Sequence, residues 1–341
     1  MNSSISSFNG SKSLSTVIKL PLNTPLIQDI QAQKERFWIF IVKLSVFVIL
    51  FLTFDRLAAK FLEEGLDRNF GLDEPAKILC LGNSRSALGI DKPLLEKELG
   101  FPVAKYARNG ANIADRLAMM KQYVESQPSS VKILVYDVDA HIFTGKGLSL
   151  NSYTLFYPFM DSSSIDAYVH EYASFYDYGI RHLLKLRRFD LETCNLSLRG
   201  WLRKYDNLKS GSVDMERLKK EFDNGQIRHI SFDEENILCF EQTLRFALEK
   251  GIYVVLLNIP TVDLYNQAEP EKYMHAIELL KGYASENDQV TFLDYTPFFC
   301  QQHELFYDPI HLNPKGQKVV TEKLVQDLKS LCIQIGCKSS D

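Results

Sequence analysis

An aspartate and a histidine stand three residues apart in the C-terminal part of the chain, at Asp308 and His311. Histidine titrates near neutral pH, and a carboxylate held against one ring nitrogen fixes its tautomer and stabilises the imidazolium. The spacing therefore predicts a general base together with the carboxylate that orients it. Such a pair serves a nucleophile, which must come from elsewhere in the sequence.

Ser84 is the candidate nucleophile. The apolar segment 77–81 is typical of a short buried strand, and it runs directly into the polar sequence GNSRS at residues 82–86. Ligands of open α/β sheets bind beyond the carboxyl ends of the strands, where a serine would face the substrate and its N–H could point at a developing oxyanion. The alternative interpretation is that these serines and the asparagine are turn and cap residues.

The elements that must position these residues alternate between strands and helices. Strands separated by helices favour a parallel sheet with helices on both faces, so we predict a three-layer α/β/α sandwich with a mainly parallel, five-stranded sheet. The predicted strands are 77–81, 102–106, 131–138, 252–257 and 290–293, and the predicted helices are 93–99, 113–125, 233–250, 269–284 and 314–331.

An apolar run near the N-terminus predicts a transmembrane helix. Residues 37–54 are dense in Phe, Ile, Val and Leu, and the one charge among them, Lys43, could snorkel to the membrane surface. We predict a signal anchor at 37–58, preceded by a disordered tail at 1–36 and followed by a juxtamembrane linker at 59–74. The basic residues before the run favour an inside N-terminus and an extracytoplasmic catalytic domain. A buried or amphipathic helix is the alternative.

The segment 141–230 interrupts the alternation and predicts a helical insertion within a catalytic domain at 75–335, which a short tail at 336–341 follows. The insertion combines an aromatic stretch at 153–178 with a basic stretch at 181–188. It could form a lid, a polymer-binding surface, or a helix pair that docks on a membrane or a partner. Helices that simply pack on the core, with solvated Arg and Lys, fit equally well.

Composition excludes some functional classes. The formal net charge of -4 gives no reason to expect nucleic acid as a partner. The six cysteines lack paired CxxC spacing and no His-x-x-x-His is present, so we predict neither a metal site nor a cofactor. Whether Cys300, Cys332 and Cys337 form a disulfide depends on the compartment and stays open.

Three blocks together resemble the SGNH/GDSL hydrolase superfamily: the serine after the first strand, the Asn-Gly-Ala turn at 109–111 after the second, and Asp-Pro-Ile-His before the last helix. The resemblance covers about residues 75–330 without the insertion, and it implies an SGNH/flavodoxin-like fold. It also implies a catalytic triad of Ser84, Asp308 and His311. The N–H groups of Ser84 and Gly110 would then form the oxyanion hole.

One block departs from the superfamily. Members often carry Gly-x-Asn-Asp after the third strand, where the asparagine is a further oxyanion donor, but residues 136–141 read YDVDAH. Removing one such donor costs about a hundredfold to a thousandfold in rate. Either Asn109 or Asn83 substitutes, or turnover is slow, or catalysis has been lost. The candidate substrate-binding residues are Asn83, Arg85 and Asp139, and the aspartate could instead orient the arginine.

The GNSRS block, the Asn-Gly-Ala turn and the single anchor are similar to one branch of the superfamily. Its members work with membrane-bound O-acyltransferases in alginate and peptidoglycan O-acetylation and in teichoic acid D-alanylation. The resemblance implies a membrane-anchored serine esterase or O-acyltransferase. Its substrate would be an acylated carbohydrate or envelope polysaccharide, and its partner a membrane-bound O-acyltransferase. The alternative is a catalytically impaired SGNH-fold protein that binds glycans or serves as an assembly partner.

Overall fold

A parallel five-stranded sheet lies at the centre of the computed structural model, which describes residues 25–145 and 151–336. The strand order is β2-β1-β3-β4-β5, and every pairing is parallel. Each predicted strand is present, and the predicted α/β fold class is confirmed. The strands are β1 (Ile78–Gly82), β2 (Val103–Ala107), β3 (Ile133–Val138), β4 (Tyr253–Asn258) and β5 (Val290–Asp294).

Thirteen α-helices accompany the sheet in the described residues. They are α1 (Pro25–Phe70), α2 (Ser84–Gly89), α3 (Lys92–Leu99), α4 (Ile113–Ser126), α5 (Ser163–Tyr172), α6 (Phe175–Leu183), α7 (Leu191–Trp201), α8 (Met215–Asp223), α9 (Glu234–Glu249), α10 (Asp263–Asn266), α11 (Pro270–Ser285), α12 (Thr296–Phe299) and α13 (Pro314–Gln334). Short 3₁₀ turns cover Tyr153–Phe159, Lys185–Arg188 and His303–Leu305.

The two faces of the sheet are buried under different helices, because successive side chains of a strand point to opposite faces. On one face, Leu79 and Leu134 pack in a cluster with buried residues of α4 and α9. On the other, Ile78 and Ile133 pack with buried residues of α3 and α13. The strands are therefore mainly apolar, as expected of strands covered on both faces, and Lys105 in β2 is a buried exception.

The chain divides into two compact units, Met1–Phe54 and Asp55–Asp341. In the first, α1 exposes its apolar side chains, and an 18-residue window reaches a mean hydropathy of 2.5. Among the described residues, α1 is the one helix long and apolar enough to cross a membrane. In the second unit, α1 continues to Phe70, which is buried together with Leu66 in the core.

Two predicted segments differ from the structure. The tail expected over 1–36 lies outside the described residues up to residue 24, while 25–36 already belong to α1. Most of the linker expected over 59–74 is helical, because its apolar residues gain burial in the core when the helix continues. The other predicted domain boundaries stay predictions, and residues 337–341 of the predicted tail lie outside the described residues.

The insertion between β3 and α9 is helical, as predicted, and residues 146–150 of it lie outside the described residues. Its first part contributes to the core, since Phe156 and Phe159 are almost fully buried. Further along, α7 packs closely on α1: a Cβ added to Gly200 would overlap the carbonyl oxygen of Gly65. Only glycine permits this approach of the two backbones.

Candidate active site

Ser84 is the first residue of α2 and lies directly beyond the carboxyl end of β1. The residue before it, Asn83, caps the helix, and its side-chain oxygen accepts a hydrogen bond of 2.9 Å from the N–H of Arg85. Asparagine is a preferred N-cap because its side chain satisfies an amide of the first helical turn. The capping interpretation of Asn83 is thus compatible with exposure of Ser84 at the sheet edge.

Gly82 permits the tight turn from β1 into α2. A Cβ at this position would clash with the Oγ of Ser86 and would lie 2.8 Å from the Cβ of Asp137 on the neighbouring strand. Glycine is therefore needed here because a side chain would not fit, and not for its backbone conformation, since the φ of Gly82 is not positive. Any larger residue would displace the beginning of the helix that carries Ser84.

Asp308 and His311 lie in a tight turn just before α13. The turn is closed by an antiparallel bridge between Phe306 and Leu312 and by a 2.8 Å hydrogen bond from the N–H of Tyr307 to the carbonyl of His311. One carboxylate oxygen of Asp308 accepts from the backbone N–H of His311 at 2.9 Å, and the other lies 2.7 Å from its ring Nδ1. The aspartate thus holds both the turn and the imidazole.

The structure brings the three predicted triad residues together. The Nε2 of His311 lies 2.8 Å from the Oγ of Ser84, while its Nδ1 faces Asp308. Burial alone would raise the pKa of the Asp308 carboxyl, but hydrogen bonds from the imidazole and from two backbone amides outweigh it and hold the pKa below its usual range. The arrangement has the geometry of a nucleophile, a base and an orienting carboxylate. Their catalytic roles stay predictions.

The predicted oxyanion turn lies beside the start of α2. Gly82 pairs with Ala107 in the β1–β2 register, so the turn that follows β2 reaches the same edge of the sheet. Gly110 adopts a positive φ of 78°, which glycine favours, and is exposed. The side-chain amide of Asn109 donates to Glu192 at 3.3 Å, so this amide is already engaged by α7. The oxyanion roles of both turn residues stay predictions.

Arg85 was predicted to contact substrate, but its side chain is only 3% exposed and points into the protein. Its Nη1 lies 2.5 Å from the Oδ2 of Asp139, and its Nη2 donates to the Oδ1 of Asn258 at 3.3 Å and to the carbonyl of Ile259. A guanidinium with five donors can join several acceptors in this way. Arg85 therefore ties α2 to the ends of β3 and β4, and the expectation that Asp139 could orient it agrees with this geometry.

Asp139 is held as an anion. Burial by itself would raise the pKa of its carboxyl, but the neighbouring Arg85 guanidinium outweighs burial and lowers the pKa to about 2. Its Oδ1 also accepts from the backbone N–H of His141 at 2.8 Å. The side chain keeps about a fifth of its surface exposed.

Asn258 was missed by the sequence reasoning. Its side chain at the end of β4 accepts from Arg85 and donates to Asp294 at 3.0 Å and to Thr296 at 3.2 Å. The available signal was a polar residue directly after a buried apolar strand, which is where sheet-edge sites form. Through Asn258, the position of Arg85 depends on β5 as well as on β3 and β4.

Within residues 25–145 and 151–336, no group of three or more His, Cys, Asp or Glu side chains is arranged to hold a metal ion. The proton-transfer chemistry of the triad needs only the serine, the histidine and the aspartate. The expectation of no cofactor stays a prediction. Cys337, one of the three cysteines considered for a disulfide, lies outside the described residues.

No family model and no curated protein matches the chain. Similar solved structures include a protein described as an acylhydrolase from Bacteroides fragilis (14% identity, TM-score 0.39, 78% of this chain and 94% of that one). A second is a protein described as a lipolytic protein of the G-D-S-L family from Desulfitobacterium hafniense (11% identity, TM-score 0.36, 73% of this chain and 97% of that one). A third is described as a platelet activating factor from Streptococcus pneumonia (12% identity, TM-score 0.38, 83% of this chain and 99% of that one).

These likenesses are distant, and nothing about the activity of this chain follows from them. The fold and the site geometry stand on the chain's own residues. Ser84 follows β1, the glycine turn follows β2, and the Asp308–His311 turn precedes α13 on a sheet of order β2-β1-β3-β4-β5. The chain thus has the fold and the order of blocks that its resemblance to the SGNH/GDSL hydrolase superfamily implied.

Proposed function

We propose that the protein is a membrane-anchored serine esterase or O-acyltransferase that forms an acyl-enzyme on Ser84. The observation that carries this proposal is the continuous hydrogen-bond chain from the Ser84 hydroxyl through His311 to Asp308, with heavy-atom distances of 2.8 and 2.7 Å. Both distances lie within the range over which a general base takes a proton from its nucleophile.

In the first step, the Oγ of Ser84 attacks the acyl carbonyl while the Nε2 of His311 takes the hydroxyl proton. The Nδ1–H donates to Asp308, so the lone pair of Nε2 faces the serine. The Asp308 carboxylate, whose pKa is lowered, stays ionised and stabilises the imidazolium that forms. Its two bonds to backbone amides keep the carboxylate in place during this step.

The tetrahedral oxyanion requires hydrogen-bond donors. Amides in the first turn of a helix have no intrahelical acceptor, and Asn83 takes the amide of Arg85. We assign the amides of Ser84 and Gly110 to the oxyanion. Arg85 acts as a positioning residue in this proposal, since its ties to β3 and β4 fix the start of α2.

In the second step, His311 gives its proton to the leaving alcohol as the substrate ester bond breaks. Water or a sugar hydroxyl then attacks the acyl-enzyme while His311 takes its proton, and His311 returns this proton to the Oγ of Ser84 as the bond to the acyl group breaks. Water gives an esterase, and a hydroxyl gives a transferase. We propose acylated envelope carbohydrate as the substrate and a membrane-bound O-acyltransferase as the partner. The resemblance and the apolar helix α1 support this part, and the basic residues before the helix support an extracytoplasmic active site.

A second function is favoured by the oxyanion side of the site. The sequence after β3 has no asparagine to serve as a third donor, and the amide of Asn109, which could have replaced it, is bonded to Glu192. A protein with this defect would bind the acylated glycan and turn it over slowly or not at all. It would then serve the acyltransferase as a glycan-binding partner.

The test uses the full-length protein in detergent with p-nitrophenyl acetate. Ser84→Ala should lower kcat by about a thousandfold or more, and wild type should carry an acetyl group on the peptide that contains Ser84. Ser330→Ala, on the exposed face of α13, is the matched control and should behave as wild type. Equal rates in wild type and Ser84→Ala would remove Ser84 from the mechanism.

Transfer and hydrolysis are separated by adding an oligosaccharide acceptor to the same reaction. Acetylated oligosaccharide formed faster than free acetate identifies a transferase, and free acetate alone identifies an esterase. Binding of acylated glycan by a wild-type protein without any turnover would establish the second function in place of the first.

A further inference from the structure

A small polar pocket of about 50 Å³ lies next to the two amides assigned to the oxyanion. It is lined by Asn83, which precedes Ser84, and by Ala111, which follows Gly110. The rest of its wall includes Arg116 of α4, Asp139 and His141 after β3, Arg228 after α8, and Asn236 of α9. A group bound here would be adjacent to an ester held at Ser84.

Three of the lining side chains have polar atoms that lack a hydrogen-bond partner among the described residues. They are the Nε of Arg116, the Nδ1 of His141 and the Oδ1 of Asn236, on residues that are 4%, 8% and 3% exposed. Leaving such a buried group unpaired costs about 1–3 kcal/mol. Unpaired groups gathered around one pocket indicate that a polar ligand completes them.

The charges in the wall favour an anion. Three guanidiniums, those of Arg85, Arg116 and Arg228, act on two carboxylates, those of Asp137 and Asp139, so the cations are in excess. Asp139 is already paired with Arg85 at 2.5 Å. Arg116 donates to the backbone carbonyl of Asp137 and lies over the ring of Tyr136, so neither contact neutralises its charge. Arg228 is exposed and stands where the pocket meets solvent.

A carboxylate matches this wall in size and shape. Each water-sized group needs roughly 10–15 Å³ of such space, so the pocket has room for the three heavy atoms of a carboxylate. The planar fork of a guanidinium is complementary to a carboxylate, and hydrogen bonds of this kind are about twice as strong as neutral ones. A neutral hydroxyl would leave the excess positive charge of the three guanidiniums over the carboxylates of Asp137 and Asp139 uncompensated.

We propose that this pocket binds a carboxylate of the substrate next to the acyl ester, so that the protein acts on acylated acidic sugars. This inference rests on the proposed function, because the ester is positioned by Ser84. Arg228 is the specificity-determining residue at the mouth of the pocket, and Arg116 provides the second cation from within.

The first experiment measures binding without turnover, on full-length Ser84→Ala protein in detergent by isothermal titration calorimetry. Methyl glucuronide should bind at least about tenfold more tightly than methyl glucoside. Adding Arg228→Ala should weaken glucuronide binding by about 10- to 100-fold, the loss of a charge-assisted hydrogen bond, and Arg228→Lys should restore part of it. Arg217→Ala is the matched control, since Arg217 is exposed on α8 and forms an ion pair with Glu221 at 2.7 Å.

The second experiment compares O-acetylated methyl glucuronide and O-acetylated methyl glucoside as esters. Arg228→Ala should lower the ratio of their kcat/KM values by about 10- to 100-fold, and Arg217→Ala should leave the ratio unchanged. Equal binding of the two glycosides, or an equal loss for both esters in Arg228→Ala, overturns the carboxylate subsite. If wild type hydrolyses neither ester but binds glucuronide selectively, the esterase proposal fails and the subsite stands.

Discussion

The Oγ of Ser84 lies 2.8 Å from the Nε2 of His311, although 227 positions separate the two residues in the sequence. The serine is held by the end of β1, and the histidine by the turn that leads into α13. These parts meet because α13 packs against both α2 and α3 on one face of the sheet. The distance between Ser84 and His311 therefore depends on how α13 packs against α2 and α3.

Asp308→Asn should lower kcat/KM for p-nitrophenyl acetate by about a thousandfold to ten thousandfold. An amide cannot stabilise the imidazolium and can hold the wrong tautomer, while its oxygen still accepts from the two backbone amides of the turn. The melting temperature should therefore change little. Asp308→Ala should lose both the activity and part of the stability. Activity within tenfold of wild type in Asp308→Asn would contradict an orienting role for this residue.

Gly82→Ala should destabilise the protein by about 1–3 kcal/mol, because the new methyl group clashes with Ser86 and crowds Asp137. Urea unfolding measures the loss. The double variant Gly82→Ala with Ser86→Gly should recover part of it, since the second change removes the clashing side chain. Gly179→Ala is the control: an added Cβ there meets no described atom within 4 Å, and alanine favours the helix. An unchanged free energy of unfolding in Gly82→Ala would show that the turn between β1 and α2 can accommodate a methyl group.

Asp139→Asn should lower the free energy of unfolding at pH 7 by about 2–4 kcal/mol, because it removes the anion 2.5 Å from the buried Arg85 guanidinium and leaves the Asp137 carboxylate at 3.8 Å. The folded pKa of Asp139 is about 2, below the ordinary value of 3.8. The wild-type carboxylate therefore contributes its stability above pH 3.8 and loses it as the pH falls from 3.8 towards 2.

The difference in unfolding free energy between wild type and Asp139→Asn should accordingly narrow over that acidic interval, as urea titrations at pH 7, 4 and roughly 3 would measure. Asp177→Asn serves as control, since Asp177 forms an exposed ion pair with Arg181 and should change stability by less than about 0.5 kcal/mol. A difference that stays constant with pH would mean that Asp139 is not the titrating group.

The double variant Ile49→Arg with Leu50→Arg should release the protein from carbonate-washed membranes, because each arginine near the centre of a span costs about 2.5–3.5 kcal/mol on insertion. Both positions lie in the exposed apolar part of α1. Ile333→Arg, on an exposed residue of α13, is the control.

Alkaline phosphatase fused after residue 341 should be active if the catalytic domain is extracytoplasmic, and inactive fusions in intact cells would contradict the predicted orientation.

Apolar runs predicted β1, β3 and β4 directly, because strands buried on both faces are rich in Val, Ile and Leu. The signal was weaker for β2, which reads VAKYA. Ser84 alone could have been a turn or cap residue, and it was singled out because Asp308 and His311 supply the matching pair at the other end of the domain. The local sequence does not predict the direction in which a long side chain points. Arg85 follows Ser84 and was predicted to bind substrate, yet its side chain is buried because it donates to backbone carbonyls at the ends of β3 and β4.

The same limit applies to Asn109 and to α1. The amide of Asn109 is engaged by Glu192, which is 83 positions away and lies in an insertion whose packing has no local signature. The helix α1 was expected to end near residue 58, where the apolar run becomes mixed with charges. The helix continues because Leu66 and Phe70 are buried in the core. Burial of this kind commonly contributes more to helix stability than the helix propensity of the local sequence.

The turn that holds Asp308 and His311 has a consequence for biosynthesis. Its residues leave the ribosome after every strand of the sheet has been made, so a chain arrested between residues 84 and 310 contains Ser84 without His311. Such fragments would carry Ser84 without the hydrogen bond from its hydroxyl to His311. The hydrogen-bond chain from Ser84 to Asp308 can therefore form only after the last strand and the turn before α13 have been synthesised.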